Sequence, residues 1–469
     1  MSAAYAADMT SLDEVGGWIR EQLPRLIAKH DVPAAGVAVC VGDQVVDAAE
    51  GVLSRATGVE ATTDSLFQIG SITKVWTATL VMQLVDEGLV ELDAPVRKYL
   101  PQFRVSDAWA SEAITVRQLL CHTAGFEGDL FTDTGRGDDA LGAFVDALGD
   151  VDQLFPPGQL FSYNNAGYSV LGRLVEKLRD APYDECLGKH LIQPLELKHA
   201  AASPYEAILF RVAVGHLPPK PGAEQEPAPL WAMPRSNSPA GAMLAMRARD
   251  LISFAQMHLT HGAGANGPVL QPESVSAMQH PEIVLPDLRV MGAAWGLGWE
   301  LFDNEGPGMI GHDGNTVGQA SFLRVVPELG VAVALLTNGG DPYGLYLDVV
   351  GHVLEKLTGI TVPPLPTPPS DPPDVDATPY VGTYSNRVID ITVSQDDQGK
   401  IWSVMQPKGA AVELGGLSER SELVGFAPDV LIPVDAKGGI HIPHAFIGAD
   451  DHGPAKYLHV GRAVPRRQQ

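Results

Sequence analysis

Cysteine is scarce in this chain. Cys40, Cys121 and Cys186 are the only three among 469 residues, and they lie far apart. That scatter excludes a disulfide framework and a structural zinc site, and it fits a reducing compartment. Positive charge is also scarce: 32 Lys and Arg face 57 Asp and Glu, for a formal charge of −25. A chain of that balance suits neither nucleic acid nor an anionic membrane surface. No stretch reaches the roughly 18 uninterrupted apolar residues needed to cross a bilayer. The opening segment, Met1 to Val15, lacks the basic and apolar regions of a secretory signal. A cytoplasmic protein is expected, without nucleic-acid or membrane partners. No internal repeat stands out, and no pattern calls for a metal or an organic cofactor.

What is present is a long chain of globular composition, 45% hydrophobic, and two or three domains are expected from its length. Leu12 to His30 reads as an amphipathic helix. Ala34 to Cys40 and Gln44 to Ala49 read as strands joined by a tight turn at Gly42-Asp43. Residues 91–279 show helical patches and long loops. Strand signals return at Ala320 to Val326 and Val331 to Thr337, a hairpin through Pro327-Glu328-Leu329-Gly330, followed by a helix from Tyr343 to Leu357. Strands and helices at both ends of this segment predict an α/β layer with a helical lobe between, and a cleft where the two meet. Residues 361–375 carry seven prolines, Pro363, Pro364, Pro366, Pro368, Pro369, Pro372 and Pro373. They read as a stiff linker. From Tyr380 to Arg462 short β-rich runs alternate with Gly, Asp and Pro turns, which predicts a small antiparallel barrel or sandwich. The expected domains are therefore residues 1–360, a linker at 361–375, and an all-β unit at 376–469.

Chemistry concentrates at Ser71-Ile72-Thr73-Lys74, at the head of the apolar run Val75 to Val85, which Gly88 ends. On a helix, residues three apart share a face. A buried lysine loses pKa and can take the proton of the neighbouring serine. Tyr163 and Asn165 form a Tyr-x-Asn pair after Pro156-Pro157-Gly158. Beside an ammonium the Tyr163 phenol is expected to fall in pKa and to relay a proton, with Asn165 holding the Lys74 amine or a substrate carbonyl. Gly311-His312-Asp313-Gly314-Asn315 precedes the Ala320 strand. Its glycines would let a ligand approach the backbone, and the Asn315 N–H would join that of Ser71 as an oxyanion hole. Each motif also has a plain structural reading: a helix-capping serine with a solvated lysine, a Tyr-Asn turn capping the helix Ser169 to Leu178, and a loop histidine satisfied by Asp313.

Ser-x-x-Lys, Tyr-x-Asn and His-x-Gly in this order resemble the serine β-lactamase and penicillin-binding-protein superfamily. The branch in question holds the class C β-lactamases, family VIII-type esterases and D-stereospecific aminopeptidases. The likeness covers about residues 10–358. It includes Leu66 to Gly70, Val90 to Pro95, Ile114 to Gly125 and Trp295-Gly296-Leu297-Gly298-Trp299. The resemblance implies a β-lactamase-like antiparallel sheet flanked by helices. It implies Ser71 as acylated nucleophile, Lys74 and Tyr163 as proton-transfer pair, Asn165 as substrate-orienting residue, His312 lining the opposite wall, and a structural His122. The family's lactamases carry Lys-Thr-Gly where this chain has His312-Asp313-Gly314. Histidine is charged only part of the time near neutrality, which points away from an efficient β-lactamase.

The segment Tyr380-Val381-Gly382-Thr383-Tyr384 and the Val460-Gly461-Arg462 ending resemble the lipocalin-like barrels of some of these peptidases. They also resemble those of penicillin-binding-protein-type thioesterases, which release and cyclise nonribosomal peptides. Arg462 reads either as a surface arginine beside Arg466-Arg467, the commoner case, or as a contact from the barrel to a substrate carboxylate. The resemblance implies a hydrolase acting on an ester or amide, with a D-amino-acid peptide among the candidates. An acyltransferase or cyclase with the same first half-reaction is the second expectation, and a non-catalytic binding protein the third. The implied partner is a small-molecule or short-peptide acyl substrate, free or as a carrier-bound thioester.

Overall fold

The computed structural model describes residues 3–467, apart from 221, 410, 411, 413–416, 438 and 449–452. Its centre is a nine-stranded antiparallel sheet. In chain order the strands are β1 (Ala34–Val41), β2 (Gln44–Ser54), β3 (Val59–Glu60), β4 (Ile283–Val284), β5 (Ala294–Trp295), β6 (Glu300–Phe302), β7 (Met309–Asn315), β8 (Ala320–Val326) and β9 (Val331–Thr337). The spatial order is β4-β5-β6-β7-β8-β9-β1-β2-β3. The β8–β9 hairpin turns where the sequence places it, at Pro327 to Gly330, with Gly330 at φ 64°. Strands β1 and β9 pair in antiparallel register from Ala35↔Thr337 to Val41↔Val331, so the sheet joins the two ends of the segment.

Strand alternation gives this sheet two buried faces. On β1, Ala34, Ala38 and Cys40 face one core, and Ala35, Val37, Val39 and Val41 face the other. The second face is covered by α1 (Ala3–Lys29) and by α5, the helical run Pro342–Tyr346, Leu347–Gly351 and His352–Thr358. The first face meets α4 (Ala248–Leu259) and the helical lobe, whose central members are α2 (Thr73–Asp86) and α3 (Asn165–Arg179). Helix α2 is buried on every side from Thr73 to Leu84, as its largely apolar sequence requires. All three cysteines are buried and unpaired.

Residues 361–375 form neither helix nor strand. Eight further strands follow: β10 (Gly382–Ser385), β11 (Ile389–Gln395), β12 (Ile401–Pro407), β13 (Glu419–Ala427), β14 (Val430–Pro433), β15 (His444–Ile447), β16 (Tyr457–His459) and β17 (Ala463–Pro465). They pair in simple up-and-down order. A bridge between Tyr384 and Arg466, with the Arg467 N–H on the Thr383 carbonyl at 2.8 Å, brings the ends together into a nearly closed barrel. Tyr384, Ile391, Val393, Leu423, Leu431, Phe446 and Leu458 fill its interior, so this barrel has a packed core. No helix among the described residues is long and apolar enough to cross a membrane.

Candidate active site

The site lies where the helical lobe, the β6–β7 end of the sheet and the barrel meet. It is a cleft of about 340 Å³ lined by Ser71, Tyr163, Asn165, Glu300, His312 and Arg462, among others. Ser71 sits in a single 3₁₀ turn, Gly70–Ile72, that leads straight into α2. The N-cap positions fall to Ile69 and Ile72, and Ser71 Oγ meets Lys74 Nζ, which removes the helix-cap reading. Gly241, at φ 127°, lets the chain pass against this turn. A Cβ there would lie 2.4 Å from the Gly70 carbonyl oxygen and 2.8 Å from the Ser71 nitrogen.

Lys74 is wholly buried. Its Nζ lies 2.6 Å from the Ala240 carbonyl oxygen, 2.7 Å from Asn165 Oδ1 and 3.0 Å from Ser71 Oγ. The Asn165 amide is oriented by its other end, because Nδ2 donates to Asp129 Oδ1 at 2.8 Å. Two of the three Lys74 partners therefore only accept. A neutral amine has two hydrogens for them and one lone pair left for the Ser71 hydroxyl. Burial drives Lys74 well below the ordinary lysine value. The Arg462 charge adds to this, and the Asp129 carboxylate opposes it.

Tyr163 precedes α3 by two residues. Asn164 between them caps that helix, accepting the Gly167 N–H at 2.7 Å. The capping role thus falls to Asn164, and its two neighbours face the cleft. Lys74 Nζ lies 4.7 Å from the centre of the Tyr163 ring. The expected fall in the Tyr163 pKa is not found. Burial raises it, against the hydrogen bond with Ser71 and the charge of Arg462. The sequence shows the lysine but not the burial that lowers the one group and raises the other. His122, at φ 59°, packs its ring 4.4 Å from that of Tyr163, and its Nδ1 accepts the Asn164 N–H at 3.0 Å.

The opposite wall is the β6–β7 pair. His312 is buried, and that burial holds it low, to about 3. The expected part-time cation is therefore a neutral ring. Its Nδ1 lies 2.6 Å from the Asp313 carbonyl oxygen, while the Asp313 carboxylate binds Arg324 at 2.6 Å. The glycines of this motif serve the chain itself, in place of the expected approach by a ligand. A Cβ at Gly314 would lie 2.0 Å from the Ile69 carbonyl oxygen, and one at Gly311 would lie 2.3 Å from that of Leu323. The Thr316 N–H bonds Gln319 at 2.9 Å, so Asn315, one residue back, turns its N–H off the β7–β8 ladder. That nitrogen lies against Gly70, where a Cβ would come within 2.6 Å of it. The N–H groups of Ser71 and Asn315 thus flank the same corner of the cleft.

The barrel closes the third side. The Tyr163 N–H meets the Gly461 carbonyl at 3.3 Å, and the Ala463 N–H meets Ser162 Oγ at 3.1 Å. His459 Nε2 meets the Phe161 carbonyl at 2.9 Å. Arg462 stands in the cleft, with its guanidinium 4.8 Å from the centre of the Tyr163 ring. It pairs with Asp129 through Nε–Oδ2 at 2.7 Å and Nη2–Oδ1 at 3.2 Å. Burial opposes its charge, and Asp129 more than compensates, holding its pKa above the usual value. Asp129 and the Ala240 carbonyl carry no motif, Glu300 stands just past one, and all three escape sequence reading. The loop 126–150 reaches the cleft through Phe131, whereas the loop 217–231 reaches a neighbouring cavity of about 640 Å³ through Leu230.

This sheet, with the Ser71 turn against β7 and β8 and a helical lobe beside it, is the β-lactamase-like α/β fold. The chain belongs to the beta-lactamase family, whose model matches residues 19–358. Penicillin-binding protein 4 of Amycolatopsis lactamdurans is 44% identical over 371 residues, covering 78% of this chain and 97% of that one. The crystal structure of SurE is similar over 98% of this chain and 100% of its own, at 29% identity and TM-score 0.78. SurE with D-Leu gives 28% and 0.75 over the same shares. The D-amino acid amidase from Ochrobactrum anthropi SV3, at 22% identity and TM-score 0.60, covers 72% of this chain and 99% of its own and shares the fold.

Proposed function

We propose that the protein is a serine acyl-enzyme that breaks an ester or amide bond through covalent acyl-Ser71. The observation that carries this reading is the partner set of Lys74. With Ala240 and Asn165 taking its two hydrogens, its lone pair points at Ser71 and takes the hydroxyl proton as Oγ attacks the carbonyl carbon. The oxygen of the tetrahedral intermediate lies between the N–H groups of Ser71 and Asn315. Tyr163, a neutral phenol, acts as the acid: it passes a proton to the leaving group and is reprotonated from Lys74. Water then releases the acid by the reverse path.

A D-residue in the substrate is supported by the D-Leu of the similar SurE structure. Arg462 is the group that meets its carboxylate, bidentately as guanidinium groups do. Transfer of the acyl group to an amine, in place of hydrolysis, is a second reading. It is favoured by one observation: the barrel seals the cleft along Phe161 to Tyr163, where water would otherwise enter.

The test follows intact protein mass on mixing with activated esters of acyl-D-amino acids, acyl-L-amino acids and fatty acids. A mass increase located at Ser71, absent in Ser71→Ala, is expected. Undiminished labelling of Ser71→Ala would sink the nucleophile assignment.

A further inference from the structure

Asp129 joins the catalytic network to the barrel. Its Oδ1 accepts Asn165 Nδ2 at 2.8 Å and Arg462 Nη2 at 3.2 Å, and its Oδ2 accepts Arg462 Nε at 2.7 Å. Asn165 Oδ1 in turn accepts Lys74 Nζ at 2.7 Å, and Lys74 lies 3.0 Å from Ser71 Oγ. Arg462, Asp129, Asn165, Lys74 and Ser71 thus form one line. Arg462 and Asn165 line the cleft, whereas Asp129 is not part of its lining and reaches them from behind. A guanidinium has two edges that can hold a carboxylate in parallel, Nε with Nη2 and Nη1 with Nη2. Asp129 occupies the first. Among the described residues nothing bonds Nη1, so the second edge keeps a hydrogen on each terminal nitrogen. The carboxylate behind Arg462 therefore fixes which edge is open in front. An amide at position 129 could not do so. It offers one acceptor oxygen to three donors, and its own NH₂ would face one of them.

The same line carries charge. Lys74 Nζ stands 4.7 and 5.6 Å from the ring centres of Tyr163 and Tyr168, with His122, His312, Arg462 and Asp129 also near. Burial lowers both imidazoles and raises both phenols. After burial, the charges that act on Lys74 are Arg462, which lowers its pKa, and Asp129, which raises it. Glu127, two residues before Asp129, is buried, and burial first and the Asp129 charge second push its carboxyl above the usual range. We propose that Asp129 is a positioning residue that selects the edge of Arg462 offered to a substrate carboxylate and couples the seating of that carboxylate to Lys74. This rests on the acyl-Ser71 reading and deepens its account of Arg462. A donor carboxylate on the open edge offsets the guanidinium and leaves the Asp129 charge to act on Lys74. The amine becomes a stronger base for the Ser71 proton when the right donor is seated.

The experiment uses the full chain and two thioester donors, acyl-D-alanyl thioglycolate and its thioglycolamide twin, which lacks the carboxylate. Acylation is followed by intact mass after rapid quench, across pH. The wild type should prefer the carboxylate donor, and its saturated acylation rate should have a higher pH midpoint with that donor than with the twin. Asp129→Asn should lower the donor-to-twin ratio of kcat/KM by about tenfold or more, and Arg462→Ala should add little to that loss in the double variant. With the twin, Asp129→Asn should move the pH midpoint down and Arg462→Ala should move it up, because the two remove charges of opposite sign. A merely structural role would not produce opposite shifts. Asp129→Glu, which keeps both oxygens and the charge, should recover part of the ratio. An Asp129→Asn protein that keeps the wild-type ratio within about twofold overturns the proposal, as do midpoints that move in the same direction. Equal wild-type midpoints for the two donors overturn it without any variant, so a folding defect would not hide the answer. A wild type that forms no acyl-enzyme from either donor sinks the acyl-Ser71 reading itself, and this proposal with it.

Discussion

The two walls of the cleft obey opposite rules. On the helical wall the polar groups joined to Lys74 answer one another. Lys74 reaches Ala240, Asn165 and Ser71, Asn165 reaches Asp129, and Asp129 reaches Arg462. On the sheet wall His312 Nε2 is bare, and Glu300 and Asp313 compete for Arg324. A saturated network is rigid and holds one geometry. An unsaturated one waits for something to complete it. The chemistry of bond breaking belongs to the first kind of wall, which must be in place before substrate arrives.

The largest effect should come from cutting the first network at its centre. Lys74→Met is expected to slow acylation about 10²- to 10⁴-fold, the range for loss of a positioned base. The same variant should be more stable at neutral pH, because a buried amine is replaced by an apolar chain of similar length. Stopped-flow acylation and urea unfolding measure the two effects, and a less stable Lys74→Met would contradict a neutral, strained Lys74. The linkage runs the same way. Between its lowered folded pKa and the unfolded value of 10.5, the unfolded chain binds more protons at Lys74, so this group makes stability rise with pH.

A smaller effect is expected from breaking the network at its rim. Arg462→Ala removes a charge-assisted pair worth about 1.5–3 kcal/mol, so kcat/KM for carboxylate-bearing donors should fall about 10- to 100-fold. Donors without a carboxylate should change little. Equal losses for both kinds would show that Arg462 supports Tyr163 and does not read the substrate. Deleting residues 370–469 should broaden the range of donors in the same direction, and a truncated protein with the full-length specificity profile would end the view of the barrel as a lid.

The smallest effects belong to the sheet wall and appear as pH dependence. Glu300, ordinarily 4.5, is raised to about 8 in the folded protein. The stability it contributes is full below pH 4.5 and is lost as pH rises through 8. Glu300→Gln should flatten this decline by roughly 1–3 kcal/mol. His312, ordinarily 6.5 and lowered to about 3, has the opposite sign: its contribution is full above 6.5 and disappears as pH falls toward 3. Thermal melts at stepped pH would resolve the two slopes, and a slope unchanged in Glu300→Gln would mean that the carboxyl titrates normally.

Much of this site could be read from the chain, for identifiable reasons. Ser71 and Lys74 meet because one helix turn separates them, and their neighbours in the cleft announce themselves through the order of three motifs. The β8–β9 hairpin is legible because two seven-residue β-rich runs flank a proline-to-glycine turn. Strands β3, β4 and β5, two residues each, are too short to show alternation. Asp129 and Arg462 are 333 positions apart; the Val460-Gly461-Arg462 ending marks Arg462, and nothing local marks Asp129. The Ala240 carbonyl acts through its backbone, which no side-chain pattern records. Gly314 was legible as a close approach, but the partner is the Ile69 carbonyl rather than a ligand. Glu300 was hidden in plain view at the end of a motif read only for its glycines and tryptophans.

The pairing of β1 with β9 also governs how the protein comes into being. During synthesis Ser71 and Lys74 emerge early, beside a two-strand ribbon whose outer edge has no neighbour for almost 300 residues. Vectorial folding can collapse helices as they appear, but it cannot close this sheet until Val331 to Thr337 arrive. Asn315 and Arg462 are made later still than the serine they flank. A nascent chain therefore carries Ser71 and Lys74 long before the rest of their cleft exists.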